Sequence, residues 1–144
     1  MRDNVERWLT HESHSFEFIK NPDNSFHVLV KHAGEAGVPI EIFEPKKQQG
    51  TIVIGSKVIM KNNQIARFLG FSPEEKKRFE KKVGDYCYSI QAIHKIIEED
   101  GKQKVGVYVV LDNKMDINQQ TLFNAINRVS EMHEKTARFL LKTF

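Results

Sequence analysis

A chain of 144 residues, 40% hydrophobic and 28% charged, is long enough to bury one core and too apolar for a disordered protein. Its net charge of +3 is too small to indicate nucleic-acid binding by itself. The single Cys87 excludes an internal disulfide, the charged start MRDNVERW lacks an apolar signal core, and no apolar run approaches the length of a membrane span. We therefore expect one domain, residues 1–144, in the cytoplasm and away from membranes.

The first half of the chain predicts a helix followed by four strands. Asp3 and Glu6 have the spacing of a capping box, and apolar residues then follow at helical intervals, so a short helix is predicted from about Asn4 to His11. Alternating residues in SFEFIK and FHVLVKH, around the turn NPDNS, predict a β-hairpin. Two further strand-like runs, PIEIFE and TIVIGSKVIM, extend this hairpin to an antiparallel meander.

The second half predicts a long helix, one strand and a last helix. The segment NNQIARFLGF is long enough for a short helical turn. In SPEE, which follows it, Ser72 and Glu75 have the spacing of a capping box. Apolar residues then recur every three or four positions from Phe79 to Ile97, which predicts one helix about 40 Å long. KVGVYVVLD predicts a fifth strand, and a helix from about Ile117 completes the chain. The predicted fold is α+β, with a mainly antiparallel five-stranded sheet and the order α-β-β-β-β-α-β-α.

This order of elements permits a comparison with known folds. A meander ending in IVIGSKVIM, the segment SPEEKKRFEKKV, a strand and then INQQTLFNAINRV resembles a family of uncharacterised, mostly archaeal proteins. The fold of that family is similar to the type III secretion chaperones and to the YbjN proteins. The resemblance covers most of the chain and implies a homodimer that handles another polypeptide. It implies no catalytic residue.

Four of the six histidines lie in the first quarter of the chain, which raises the question of a metal site. In the predicted hairpin, however, the alternation places His14 and His32 on the core side and sends His27 to the opposite side. The remaining ligands near one end of the sheet are too few for a structural or catalytic zinc site. The sequence therefore predicts no metal and no other cofactor.

A thiol and two histidines in the second half form the main alternative to a non-catalytic protein. Cys87 and His94 are seven residues apart on the predicted helix, about 10 Å, whereas a nucleophile and its base need about 3 Å. His133 lies on the last helix, and the sequence is compatible with its approach to either Cys87 or His94. A small-molecule-binding or catalytic site near these three residues remains an alternative, although a lone cysteine in an apolar stripe is typical of a core filler.

The densest basic stretch is EEKKRFEKK, which supplies Lys76, Lys77, Arg78, Lys81 and Lys82. Acidic residues interleave with these cations at helical spacing, which favours a solvated helix surface. Nucleic-acid binding through this basic face is the second alternative function, and nucleic acid is not the partner that we expect.

The last helix and the fifth predicted strand carry more apolar residues than one core needs. In VGVYVVL alternate valines point one way, while Tyr108 and Val110 point the other way. A monomer seldom leaves such a patch exposed. The predicted interface of a homodimer consists of Leu29, Tyr108, Val110, Met132 and Phe139. The alternative is that the first helix and the stretch around Phe68 and Phe71 cover this face within one chain.

The sequence as a whole therefore predicts a protein-interaction module without an active site. The expected partners are a second copy of the chain and a protein or peptide client. The titratable residues form no recognisable set of acid, base and nucleophile, which is why we expect no turnover.

Overall fold

The computed structural model describes all residues, 1–144. The helices are α1 (Arg2–His11), α2 (Asn62–Leu69), α3 (Pro73–Ser89) and α4 (Gln119–Thr143). The strands are β1 (Phe16–Phe18), β2 (Asn24–Ala33), β3 (Val38–Pro45), β4 (Ile52–Ile59), β5 (Ile93–Glu99) and β6 (Lys102–Leu111). The six strands form one antiparallel sheet in the order β1-β2-β3-β4-β6-β5, which confirms an α+β fold.

The first hairpin forms where the alternation predicts it. Phe16 lies opposite Val30 in the β1–β2 pair, and Val28 lies opposite Ile42 in the β2–β3 pair. Residues that lie directly opposite each other in an antiparallel pair share one face of the sheet. The register therefore collects the alternate apolar residues of these strands on a common side.

Residues 1–56 and 108–131 form a first compact unit. One face of the sheet in this unit, which we call the inner face, carries fully buried apolar residues from β2, β3 and β4. Two helices, α1 and the first part of α4, pack on it through their own apolar stripes. The core residues from the strands are Phe26, Val28, Val30, Ala33, Ile40, Ile42, Ile52 and Ile54, and those from the two helices are Val5, Leu9, Leu122, Ala125, Ile126 and Val129.

Residues 57–107 and 132–144 form a second compact unit. Its helix α3 starts with the capping box that SPEE predicts: the Ser72 hydroxyl accepts the Glu75 N–H at 3.2 Å, and Glu75 Oε1 accepts the Ser72 N–H at 3.1 Å. Phe79, Val83 and Cys87 form the buried stripe of this helix. Because β4, β6 and α4 are each divided between the two units, the expectation of a single domain stays a prediction.

The prediction of one long helix from SPEE to Ile97 is wrong, because α3 ends at Ser89. Gln91 adopts a left-handed conformation with φ of 59°. The Gln91 N–H donates to the Tyr88 carbonyl at 3.0 Å, and the Ala92 N–H donates to the Cys87 carbonyl at 2.8 Å. These two bonds are the Schellman closure of a helix, and they turn the chain out of the helical path.

A sixth strand, β5, therefore replaces the last part of the predicted helix. It is joined to β6 by Asp100 and Gly101, whose φ angles of 54° and 73° are those of a two-residue hairpin turn. Ile93 and Ile97 are four residues apart, a spacing that a helix and a strand of β-branched residues both tolerate. The signal for the strand was the Asp-Gly pair, and the observed order is α-β-β-β-β-α-α-β-β-α.

The N-terminal helix also begins differently from the prediction. Helix α1 starts at Arg2, with Met1 as the residue before it and no side-chain capping bond. The predicted capping box of Asp3 and Glu6 therefore does not form, because both residues already lie inside the helix. The helix still buries Val5 and Leu9, so its amphipathic pattern is as predicted.

Candidate interaction surfaces

The sheet of the first unit has a second face, opposite the helices, that carries half-buried apolar side chains. Leu29 lies opposite Glu41, and Phe43 lies opposite Val53, so these residues share one side. None of the apolar residues on this side belongs to the core of the unit or packs against it. We call them the outer patch: Leu29, Phe43, Val53, Tyr108 and Val110.

A close contact between two strands flattens the outer patch. The ring of Tyr108 lies directly over Gly55, where a Cβ atom would be 2.1 Å from the nearest ring carbon. Only glycine leaves space for this ring. The aromatic side chain is therefore held along the sheet instead of extending into solvent.

A hydrogen-bonded histidine lies beside the outer patch. His27 is 8% exposed, and its ring centroid is 5.2 Å from that of Phe43. Its Nδ1 is 3.1 Å from Asn24 Nδ2, and its Nε2 is 3.0 Å from Glu41 Oε1. Because an amide nitrogen only donates, Nδ1 is the acceptor, and the Nε2–H donates to the carboxylate. Both ring nitrogens are thus hydrogen-bonded within the chain. The apolar residues are therefore the part of this face that is suited to contact a partner.

The five residues predicted to form a dimer interface have different surroundings. Leu29, Tyr108 and Val110 belong to the outer patch and are half-buried. Met132 is only 3% exposed and lies within the second unit. The ring of Phe139 stacks on Tyr86, with centroids 4.2 Å apart. The apolar surplus of the last helix is therefore used inside the chain, and the sheet residues remain the candidates for an interface.

Cys87, His94 and His133 do not have the properties of a nucleophilic site. Cys87 is fully buried, and burial raises the pKa of its thiol to about 11, so the thiol is protonated at neutral pH. The His94 ring is exposed and lies against Gly84. Burial lowers the pKa of His133, and the Glu134 carboxylate partly opposes that shift. No group of three His, Cys, Asp or Glu side chains is placed to hold a metal ion.

The N-terminal histidines are dispersed, as the alternation predicts for His27. His14 stacks on Phe123, with ring centroids 5.3 Å apart, and lines a cleft of about 520 Å³ in the first unit. The polar side chains of this cleft bond to one another, as in the 2.8 Å hydrogen bond from Gln119 to Glu12. His32 is exposed beside the Gly37 carbonyl, so the prediction that it lies on the core side is wrong. A register shift between Val30 and Ala33 puts Ala33 in the core instead.

The predicted basic face lies on α3 in the second unit. Lys77, Arg78, Lys81 and Lys82 are exposed, and the Lys76 ammonium lies 5.4 Å from the centre of the Phe68 ring. Rings from α2, the following turn, α3 and the residue after α4 form a cluster next to it. This aromatic cluster consists of Phe68, Phe71, Phe79 and Phe144.

A small cleft opens between the aromatic cluster and part of the basic face. Its volume is about 250 Å³. Its lining residues, all in the second unit, are Phe71, Glu75, Arg78, Phe79, Lys82 and Thr143. Apolar rings and cations therefore meet in one concave surface, formed by one face of α3 together with Phe71 and Thr143 from outside that helix.

Comparison with known proteins places this fold in a family. The sequence model of an uncharacterised conserved protein family, DUF2299, matches residues 1–140. The chain belongs to this family. The crystal structure of an uncharacterised protein from Methanothermobacter thermautotrophicus is similar to this DUF2299 protein, with a TM-score of 0.76 over 99% of this chain and 98% of the other. At 15% sequence identity that similarity concerns the fold alone. No curated protein matches the chain.

The four helices of this DUF2299 protein differ from membrane-spanning segments. None combines the length and the apolar character that crossing a membrane would require.

Proposed function

We propose that this DUF2299 protein is a cytoplasmic homodimer that binds another protein and has no catalytic activity. The observation that carries the proposal is the outer patch: five half-buried apolar residues on four strands of the sheet, without a helix of their unit over them. An apolar surface of this kind is a typical protein-binding site.

A second copy of the chain is the economical occupant of the outer patch. Most soluble homo-oligomers are twofold dimers in which the same surface of each copy meets its counterpart. Sheet faces pack about 10 Å apart when their side chains interdigitate, which suits the low relief that Tyr108 over Gly55 gives to this surface. The exposed pair of Lys31 and Glu17, 3.8 Å apart, supplies the polar rim that such interfaces have.

The resemblance of the fold to type III secretion chaperones and YbjN proteins supports the client-binding half of the proposal. Those chaperones handle another polypeptide as dimers. The resemblance is based on the overall order of a first helix, a meander, a middle helical segment, further strand structure and a last helix, although the chaperones place three strands before the middle helix and this chain places four there. The DUF2299 family and its structural neighbour are uncharacterised, so this half is tested by binding experiments rather than by analogy.

Charge substitutions on the two faces of the sheet test the dimer. Val110→Glu and Leu29→Glu place a carboxylate in the outer patch, whereas Val28→Glu places one in the core, where Val28 is fully buried. We expect the wild type to have twice the 16.7 kDa mass of one chain by light scattering over a wide concentration range. Both outer variants should have the single-chain mass and keep their circular dichroism, because an unpaired charge is costly only where it becomes buried.

The control separates an interface from an ordinary core. Val28→Glu should unfold the chain, because its carboxylate is buried in the folded monomer. A wild-type protein with the mass of one chain would refute the homodimer. Unfolding of both outer variants would show that the outer patch is covered within one chain.

A catalytic site near Cys87 is less well supported. A fully buried thiol with a pKa of about 11 has neither the access nor the thiolate that a nucleophile needs. Nucleic-acid binding through the basic face is tested together with the cleft beside it.

A further inference from the structure

The aromatic cluster of the second unit shows what kind of group it accepts. The ring of Phe144 lies nearly parallel to Phe71, at 11° with centroids 5.9 Å apart, and 5.2 Å from the centre of the Phe79 ring. The Arg67 guanidinium donates a hydrogen bond to the backbone oxygen of Phe144. A backbone segment with an aromatic side chain is therefore held here by ring stacking and by an arginine.

The neighbouring cleft offers the same apolar walls to a second segment. Phe71 and Phe79 contribute to the cluster and also line the cleft. At about 250 Å³ the cleft is smaller than the roughly 300 Å³ at which small-molecule pockets begin. Its size suits one side chain of a peptide that continues over the surface, rather than a whole metabolite or cofactor.

The charged residues around the cleft indicate the charge of its ligand. Arg78 and Lys82 are one helical turn apart, are exposed, and form no hydrogen bond or ion pair. Glu75 is the acidic lining residue. Its Oε1 accepts the Ser72 N–H, and its hydrogen bonds with Ser72, followed by the nearby charge of Arg78, lower its pKa. The carboxylate is thus held at the start of α3 by Ser72, and the two cations of the lining outnumber this one anion, which favours an anionic ligand.

We propose that the cleft lined by Phe71, Phe79, Arg78 and Lys82 binds an acidic peptide segment through one aromatic side chain. The ring packs on the two phenylalanines, and carboxylates flanking it pair with the two cations. This proposal deepens the client-binding function and rests on it, but it does not require the dimer. Single-stranded nucleic acid is less suited, because a cleft of about 250 Å³ with two lining cations has room for one side chain, whereas nucleic-acid grooves follow a longer backbone with successive stacked bases.

Isothermal titration of the full chain with synthetic peptides tests the site. The probe is a blocked heptapeptide with one central phenylalanine between aspartates, and the comparison peptides replace the phenylalanine with alanine or the aspartates with asparagine. We expect saturable binding at one peptide per chain. Affinity should fall about tenfold without the ring and about fivefold without the carboxylates.

Matched variants of α3 show whether the cleft is the binding site. The double variant Arg78→Gln with Lys82→Gln should weaken binding about fivefold. The double variant Lys77→Gln with Lys81→Gln removes the same charge from the same helix outside the cleft lining, and it should change the affinity less than twofold. Equal losses in both variants would mean attraction to net charge alone and would overturn the site.

Two further outcomes distinguish this proposal from the others. The monomeric Val110→Glu variant should bind the peptide as the wild type does, so failure of the dimer and failure of the cleft have separate readouts. Absence of saturable peptide binding at millimolar concentration would overturn the proposal. Tighter binding of a single-stranded oligothymidylate, with a steep dependence on salt, would replace it by nucleic-acid binding.

Discussion

The two faces of the sheet in the first unit are built from alternate residues of the same strands, yet they have different environments. Ile54 on the inner face is fully buried, whereas its neighbour Val53 on the outer patch is half-buried. Both residues are β-branched and apolar. The difference arises because α1 and α4 pack on the inner face only. Alternation therefore decides which side a residue faces, while the packing of helices decides how dry that side becomes.

The largest expected effect of this contrast is on core packing. Ile54→Ala should lower the free energy of unfolding by about 3 to 4 kcal/mol, because it leaves a cavity among fully buried side chains. Val53→Ala should lower it by about 1 kcal/mol in the dissociated chain, because a half-buried side chain loses less apolar contact. Urea denaturation at low protein concentration measures both. Equal losses would mean that the outer patch is as tightly packed as the core.

The next effect concerns the exclusion of water from the buried stripe of α3 in the second unit. Burial raises the pKa of Cys87 from 9.0 to about 11, so folding favours the neutral thiol. This contribution to stability is complete below pH 9 and is lost as the pH rises through 11. It amounts to about 2 to 3 kcal/mol.

Denaturation of the wild type and of Cys87→Ala between pH 8 and pH 11 isolates the thiol from other groups that titrate in this range. The wild type should lose more stability over the interval than the variant does. At pH 8 the native thiol should also react with iodoacetamide far more slowly than in the unfolded chain. Parallel stability profiles for the two proteins would show that this stripe is accessible to water.

The smallest effect is expected for two polar pairs that lie on the same side of the sheet as the outer patch. Glu41→Ala should cost about 1 to 2 kcal/mol, because it leaves the Nε2–H of the nearly buried His27 without its acceptor. Glu41→Gln keeps an oxygen acceptor and should recover part of that loss. Glu17→Ala should cost less than about 0.5 kcal/mol, because its pair with Lys31 is 3.8 Å long and more than half exposed. Thermal unfolding at constant pH ranks the three variants, and a Glu17 effect as large as that of Glu41 would contradict the ranking.

Local signals in the sequence predicted most of the elements, and one periodicity was misleading. The capping box at Ser72 and the alternation around NPDNS both correspond to observed structure. The spacing of Ile93 and Ile97 suited a helix, but the Asp-Gly pair at 100–101 forms a hairpin instead. Short apolar runs satisfy both helical and strand patterns, so the turn chemistry next to such a run has to decide between them.

The candidate sites show the same division. Alternation predicted that Leu29, Tyr108 and Val110 lie away from the core, because the direction of a strand side chain follows from its position alone. It did not predict that Phe139 stacks on Tyr86, or that Thr143 lines one cleft with Phe71 and Lys82. These contacts join separate segments of the chain, and no local pattern records which segments will meet.

The sequence by itself determined a mixed α+β chain with an antiparallel sheet, a single thiol and no recognisable catalytic motif. Those properties depend on composition, on periods of two and 3.6 residues, and on short capping and turn motifs, all of which act within a few residues. The tertiary structure decided the burial of Met132 and Cys87 and the outer patch that remains without a helix. These depend on which elements pack together, because burial is a property of neighbours that are distant in the chain.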